Sequence, residues 1–162
     1  VTAKQKSPLD GKSPLDGVLR TADLLLAARQ HERAGRVREA MDCCMAAVAE
    51  AAWCGAWAAQ AVGLRRLGTL HQHRNEMAAA RESWRTSVEV AMRAGESAIA
   101  VEALISLGNV ELALGNCSGA REIFTEAIAA LGEEHPELRT RIERNLGKLA
   151  ELEAKRGTIR AA

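Results

Sequence analysis

Tyrosine is absent from this sequence, and its other aromatic residues are one phenylalanine, Phe124, and three tryptophans, Trp53, Trp57 and Trp84. That scarcity argues against a β-sandwich or barrel, whose strands draw heavily on β-branched and aromatic side chains. Proline is also sparse, with three residues at positions 8, 14 and 136, so between 18 and 135 only local glycines interrupt a helix. No stretch reaches 18 uncharged apolar residues; even the alanine-rich segment 45–64 contains Glu50 and Gln60. The first 20 residues are polar, without the apolar core of a secretory leader. Charge of one sign is missing as well. The 22 basic and 21 acidic residues give a net charge of +1, no field of the kind that gathers nucleic acid or anionic lipid. What remains is alanine, leucine, glutamate and arginine, the residues that lose least on entering a helix. An all-α protein without nucleic-acid or membrane partners is expected.

The motifs of catalysis are lacking too. There is no G-x-S-x-G, no phosphate-binding G-x-x-x-x-G-K-[ST] and no dinucleotide G-x-G-x-x-G after a strand. Neither C-x-x-C nor H-E-x-x-H spacing occurs among Cys43, Cys44, Cys54, Cys117, His31, His71, His73 and His135. No enzyme activity, metal or cofactor is therefore expected. Adjacent Cys43 and Cys44 on a helix suit a reducing, cytoplasmic compartment better than a disulfide framework. Charge is distributed unevenly: residues 1–81 hold 12 basic and 8 acidic groups, and residues 82–162 hold 10 and 13. Such a gradient orients a charged partner without binding it by itself.

The sequence is internally repetitive. KSPLDG occurs at 6–11 and again at 12–17, a turn-rich pattern read as a flexible leader over 1–17. Beyond it, Leu24-x-x-Ala27-Ala28, Leu64-x-x-Leu67-Gly68 and Leu104-x-x-Leu107-Gly108 recur at an offset of 40 residues. Each is followed by a small residue at Ala40, Ala80 or Ala120, a larger one at Cys44, Trp84 or Phe124, and a small one at Ala47, Ser87 or Ala127. Turns are expected at Gly35, Asn75 and Gly115. Small residues on facing helices allow close approach, and the larger residue fills the groove they leave. One hairpin of this kind cannot bury its own apolar face, so hairpins must stack. A fourth first-helix, Leu146-Gly147, has no second helix after it. The spacing predicts helices over about 20–34, 37–52, 55–74, 77–94, 97–114, 117–131 and 136–156, leaving 157–162 as a tail. Trp84 and Phe124 should be buried.

These positions resemble the tetratricopeptide repeat, with its W/L-x-x-L-G in helix A and A-x-x-x-F-x-x-A in helix B. The unit from Leu104 to Ala127 carries the pattern nearly throughout, the Leu64 unit departs at Ser87, and the Leu24 unit is the most divergent. The 40-residue period resembles the long-helix variant of kinesin light chains, Pins/LGN adaptors and MalT-like regulators. The resemblance covers 18–156 and implies a right-handed α-solenoid of three hairpins plus a capping helix. It also implies a protein–protein interaction module whose A helices line a concave groove. By the family's register the peptide-binding positions would be Leu25, Arg29, Arg33, Arg65, Thr69, His73, Ile105, Asn109, Arg144 and Lys148. That groove is mostly basic, with Leu25 and Ile105 as apolar patches and Glu32, Glu102 and Glu151 as interruptions, and it suits an acidic peptide or a peptide carboxylate. The carboxylate clamp of chaperone-tail-binding members is not reproduced at these places. The alternative is a scaffold or self-assembly unit, or one piece of a larger regulator. It would use the B-helix surfaces, with dimerisation through the apolar second helix. His31 and His71 stand where the family has tyrosine, and each should donate one hydrogen bond between helices.

Overall fold

The computed structural model describes residues 13–133 and 135–161. Over these the chain forms seven helices and no strand: α1 (Pro14–Arg33), α2 (Val37–Cys54), α3 (Trp57–His73), α4 (Met77–Ala94), α5 (Ser97–Ala113), α6 (Cys117–Leu131) and α7 (Pro136–Ala161). The strongest contacts join α1 to α2, α3 to α4 and α5 to α6, so the helices are three antiparallel hairpins followed by α7. Odd-numbered helices also touch in series, α1 to α3, α3 to α5 and α5 to α7, whereas no even-numbered pair does. The stack therefore curves with its odd helices on the inner side, as an α-solenoid.

Two boundaries differ from the sequence expectation by more than two residues. Helix α1 starts at Pro14, six residues early, because the second KSPLDG is a helix start rather than a turn. Ser13 caps the helix by accepting from the Leu15 amide at 3.1 Å, and Asp16 returns the bond to the Ser13 amide at 3.3 Å. Pro14 sits in the first turn, where its missing N–H is harmless. The first hexapeptide copy lies outside the described residues. At the other end α7 runs to Ala161, so most of the expected tail is helical.

The loops joining α1 through α6 are two to three residues long and share one geometry. Within hairpins the turn residue has positive φ: Gly35 at 70°, Asn75 at 61° and Gly115 at 76°. The next amide closes back five residues, Arg36 to His31, Glu76 to His71 and Asn116 to Glu111, each at 2.9 Å. Asn75 holds a left-handed conformation that glycine adopts without strain. Asn75→Gly is therefore expected to raise stability by about 0.5–1 kcal/mol, read as a higher melting temperature.

The core explains the remaining periodicity. Trp84 and Phe124 are buried as the repeat pattern requires. A methyl group on Gly68 would stand 2.4 Å from Trp84 Nε1, and one on Gly108 would stand 2.5 Å from Phe124 Cε1. Each aromatic ring thus lies flat against a glycine of its partner helix, in space only hydrogen leaves open. Trp84 also donates from Nε1 to the Arg65 carbonyl at 3.1 Å. Ser87, where the family pattern has alanine, is buried and donates to the Ala61 carbonyl at 2.8 Å, so its hydroxyl is satisfied. At Gly147, the corresponding place on α7, nothing lies within 4 Å. The face of α7 around it presents Thr140, Glu143, Ala150 and Glu151, all exposed, so its open side is small and polar.

None of the four cysteines is joined in a disulfide. Cys44 takes the buried ring position of the first hairpin, and burial, with Glu32 nearby adding to it, pushes its thiol from 9.0 up to about 12. The unfolded thiol ionises first as pH rises. Its contribution to stability is therefore intact below pH 9 and is lost as pH climbs through 12. Maleimide labelling near pH 8 should modify the half-buried Cys43, Cys54 and Cys117 while Cys44 reacts only on unfolding. Labelling of Cys44 at the rate of the others would contradict the packing.

Candidate functional site: the inner face of the odd helices

The inner face is built on α1, α3, α5 and α7, and three polar contacts stitch it from helix to helix. Arg66 of α3 donates from a single nitrogen, Nη1, to both oxygens of Glu32 on α1, at 2.9 and 3.1 Å. Arg65 of α3 reaches Glu102 of α5 at 3.1 Å. Asn145 of α7 donates to the Asn109 side chain of α5 at 2.8 Å. Glu32 and Glu102, read from sequence as interruptions of a basic surface, are instead the partners that neutralise its centre.

The ten sequence-derived positions fall into four groups. Arg29, Arg33, Arg144 and Lys148 are exposed and form no ion pair among the described residues. Arg65, Thr69 and Asn109 are engaged within the fold: Arg65 with Glu102, Thr69 with the Arg65 carbonyl at 3.3 Å, and Asn109 with Asn145. His73 is exposed at the end of α3. The apolar pair separates. Leu25 is half-buried over Gly63, but Ile105 is 1% exposed in a cluster with Ile142 and Leu149 of α7. Ile105 is therefore core and not a surface anchor. The capping helix lies on the position that would otherwise face a ligand. The free cations do not form one continuous stripe: Arg29 and Arg33 lie on α1, Arg144 and Lys148 on α7, and between them stands a neutral, hydrogen-bonded middle.

A second polar row, which the 40-residue offset could have revealed, runs through the turns. His31, His71 and Glu111 occupy equivalent places, and each binds the side chain five residues on. His31 Nδ1 accepts from Arg36 Nε at 2.9 Å, so this histidine accepts where donation was expected. His71 Nδ1 meets Glu76 at 2.7 Å and must be the donor there, because a carboxylate only accepts. Glu111 accepts from Asn116 Nδ2 at 2.7 Å and also takes the Arg81 guanidinium. The bond from His71, helped by Arg74, holds the exposed Glu76 carboxyl below its ordinary 4.5. That contribution is present above the ordinary value and lost as pH falls through the lowered one.

On the outer side, where α4 and α6 stand apart, an open cleft of about 290 Å³ has Val88, Leu104, Leu107 and Ile123 as its floor and Arg85, Glu89 and Glu126 at its rim. Among the described residues no three His, Cys, Asp or Glu side chains gather as a metal site. None of the described helices is long and apolar enough to cross a membrane.

An α-solenoid of stacked helical hairpins with a polar inner face belongs to the class of repeat scaffolds that hold other proteins. Residues 59–133, spanning α3 to α6, match the tetratricopeptide repeat family, so the chain contains a repeat region of that type. No curated protein matches the chain.

Proposed function

We propose that this chain is a protein–protein interaction module that binds an extended acidic peptide across the inner face of α1, α3, α5 and α7. The observation carrying this reading is the pattern of free cations: two at each end of the face, Arg29 and Arg33 against Arg144 and Lys148, flanking a centre whose arginines are already paired. Three helix-to-helix steps of 8–10 Å separate the two ends by about 25–30 Å. An extended peptide covers that span in about eight or nine residues. The preferred ligand therefore carries carboxylates at both ends of such a segment, with polar residues between them to face Thr69 and Asn109. With Ile105 covered, the apolar contribution on this face falls to Leu25. Exposed ion pairs supply about 0–1 kcal/mol each and fade with salt, so a single site of this kind is weak. The 40-residue period and the 15–20-residue hairpin helices favour the long-helix variant of the repeat, and the free cysteines favour a reducing, cytoplasmic setting.

Fluorescence anisotropy with labelled peptides tests this. A nine-residue peptide acidic at both ends should bind more tightly than its isomer with the same acids grouped in the middle, and the gap should close as salt rises. Arg29→Ala with Lys148→Ala should abolish the preference. Equal binding of the two isomers, or binding that survives both substitutions in high salt, would move the site off this face.

A further inference from the structure

We propose that the leading face of α1 is a homodimer surface, on which a second copy of this chain packs its own α1 in antiparallel orientation. Leu15, Val18, Leu19 and Leu26 are 66%, 43%, 60% and 56% exposed, and with exposed Ala22 they recur at the spacing of one helix face. The later odd helices show how unusual this is. At the places of Val18, Leu19, Ala22 and Leu26, α3 carries Ala58, Ala59, Val62 and Arg66, and α5 carries Ala98, Ile99, Glu102 and Ser106, every one of them half-buried. The sequence thus sets its bulkier aliphatic side chains at the one copy of this face that the described fold leaves uncovered. Four large aliphatic groups in a row on a free surface mark an interface rather than scattered exposure.

The stripe is its own complement. Taken about Ala22, an antiparallel register sets Val18 opposite Leu26 of the second copy, Leu19 opposite its Leu25, and Ala22 opposite Ala22. The smallest residue stands at the crossing, where it lets two helix axes approach to about 8 Å. Leu15 then lies under Arg29 of the second copy, whose methylene stem covers it while the guanidinium stays in water. The four large side chains leave on the order of 400 Å² of apolar surface per copy, and with the stems of Arg29 and Arg33 the pair approaches about 1,000 Å², the lower limit for a specific interface. The dimer is accordingly weak and concentration-dependent. It differs from the expectation of pairing through α2, where the large exposed apolar groups are Met45 and Trp53, eight residues apart. It shares Leu25 and the stems of Arg29 and Arg33 with the proposed peptide face, but it needs no ligand and centres on Ala22, so its loss and the loss of peptide binding are read separately.

Sedimentation equilibrium of the full chain, from low micromolar to near millimolar concentration, is the test. A monomer–dimer equilibrium is expected, and Leu19→Arg or Leu26→Arg should weaken it by roughly tenfold or more while leaving the melting curve unchanged, because both side chains are exposed. Met45→Arg should leave it intact. In a chain with Cys43, Cys54 and Cys117 changed to serine, Ala22→Cys should oxidise to a covalent dimer faster than Ala129→Cys, an exposed control on α6. A monomer at every concentration overturns the proposal. So does a dimer that survives both α1 charges, or one in which position 22 cross-links no faster than the control.

Discussion

Phe124→Ala is expected to lower the stability of the chain by about 3–5 kcal/mol, the usual loss for emptying an aromatic site in a packed core. The ring is fully buried and shares a cluster with Val101, Leu104 and Ile105 of α5 and Leu138, Ile142 and Leu149 of α7. It therefore joins its own hairpin to the capping helix, and its loss should melt α7 together with α6 rather than loosen one hairpin. The coupling to Gly108 gives a sharper check. Gly108→Ala alone would drive a methyl group to 2.5 Å from the ring and should cost about 1–3 kcal/mol. In a Phe124→Leu background the same change should be nearly neutral, because the two atoms it strikes hardest, Cε1 and Cζ, are gone. Urea titration of the four chains of that cycle gives the interaction energy. Simple additivity would mean that the ring does not sit on the glycine.

Arg81→Ala is the second large effect, with an expected loss of about 2–3 kcal/mol. Glu111 is 4% exposed on α5 and takes its charge partner from α4, with Asn116 as its other donor. Removing the guanidinium leaves a buried carboxylate with a single neutral partner, which is worse than never having buried the charge. The figure is kept below that of a fully buried pair because the Arg81 side chain is itself 35% exposed to water. Arg81→Met combined with Glu111→Leu should recover most of the loss, since the cost lies in the orphaned charge. The corresponding contact further along, Arg121 with Glu153, is solvent-exposed at both ends, so Arg121→Ala should cost well under 1 kcal/mol. Equal effects at Arg81 and Arg121 would show that burial is not what separates them.

Much of the architecture was legible because it is written in one repeating interval. The Leu-x-x-Leu-Gly and Ala-x-x-x-aromatic positions predict glycine-backed rings, and the structure places Trp84 on Gly68 and Phe124 on Gly108. The repeat spacing and its turns predict α4 and α6 to the residue. The start of α1 is ambiguous in sequence because Ser-Pro and Asp-Gly are turn signals and helix-capping signals alike. Only the reciprocal bonds between Ser13 and Asp16 decide which applies. The inner face was read least well. Register along one helix indicates which side a residue is on, but not whether the next hairpin supplies a partner or a cover. Register alone therefore leaves Arg65 free, though Glu102 pairs with it, and leaves Ile105 exposed, though α7 covers it. The turn row of His31, His71 and Glu111 was visible in part, through the two histidines. Glu111 differs in chemistry, and only its place 40 residues on gives it away.

The central claim, that the inner face carries a peptide between two basic ends, is most directly tested by mapping where such a peptide touches the ¹⁵N-labelled chain in solution. Titration with a nine-residue peptide acidic at both ends should shift amide signals of α1 around Arg29 and Arg33 and of α7 around Arg144 and Lys148. Smaller changes are expected along Thr69 and Asn109, and none on α4 or α6. Shifts confined to Val88 and Ile123 would place the ligand in the outer cleft instead. No saturable shift at low salt would contradict the claim outright.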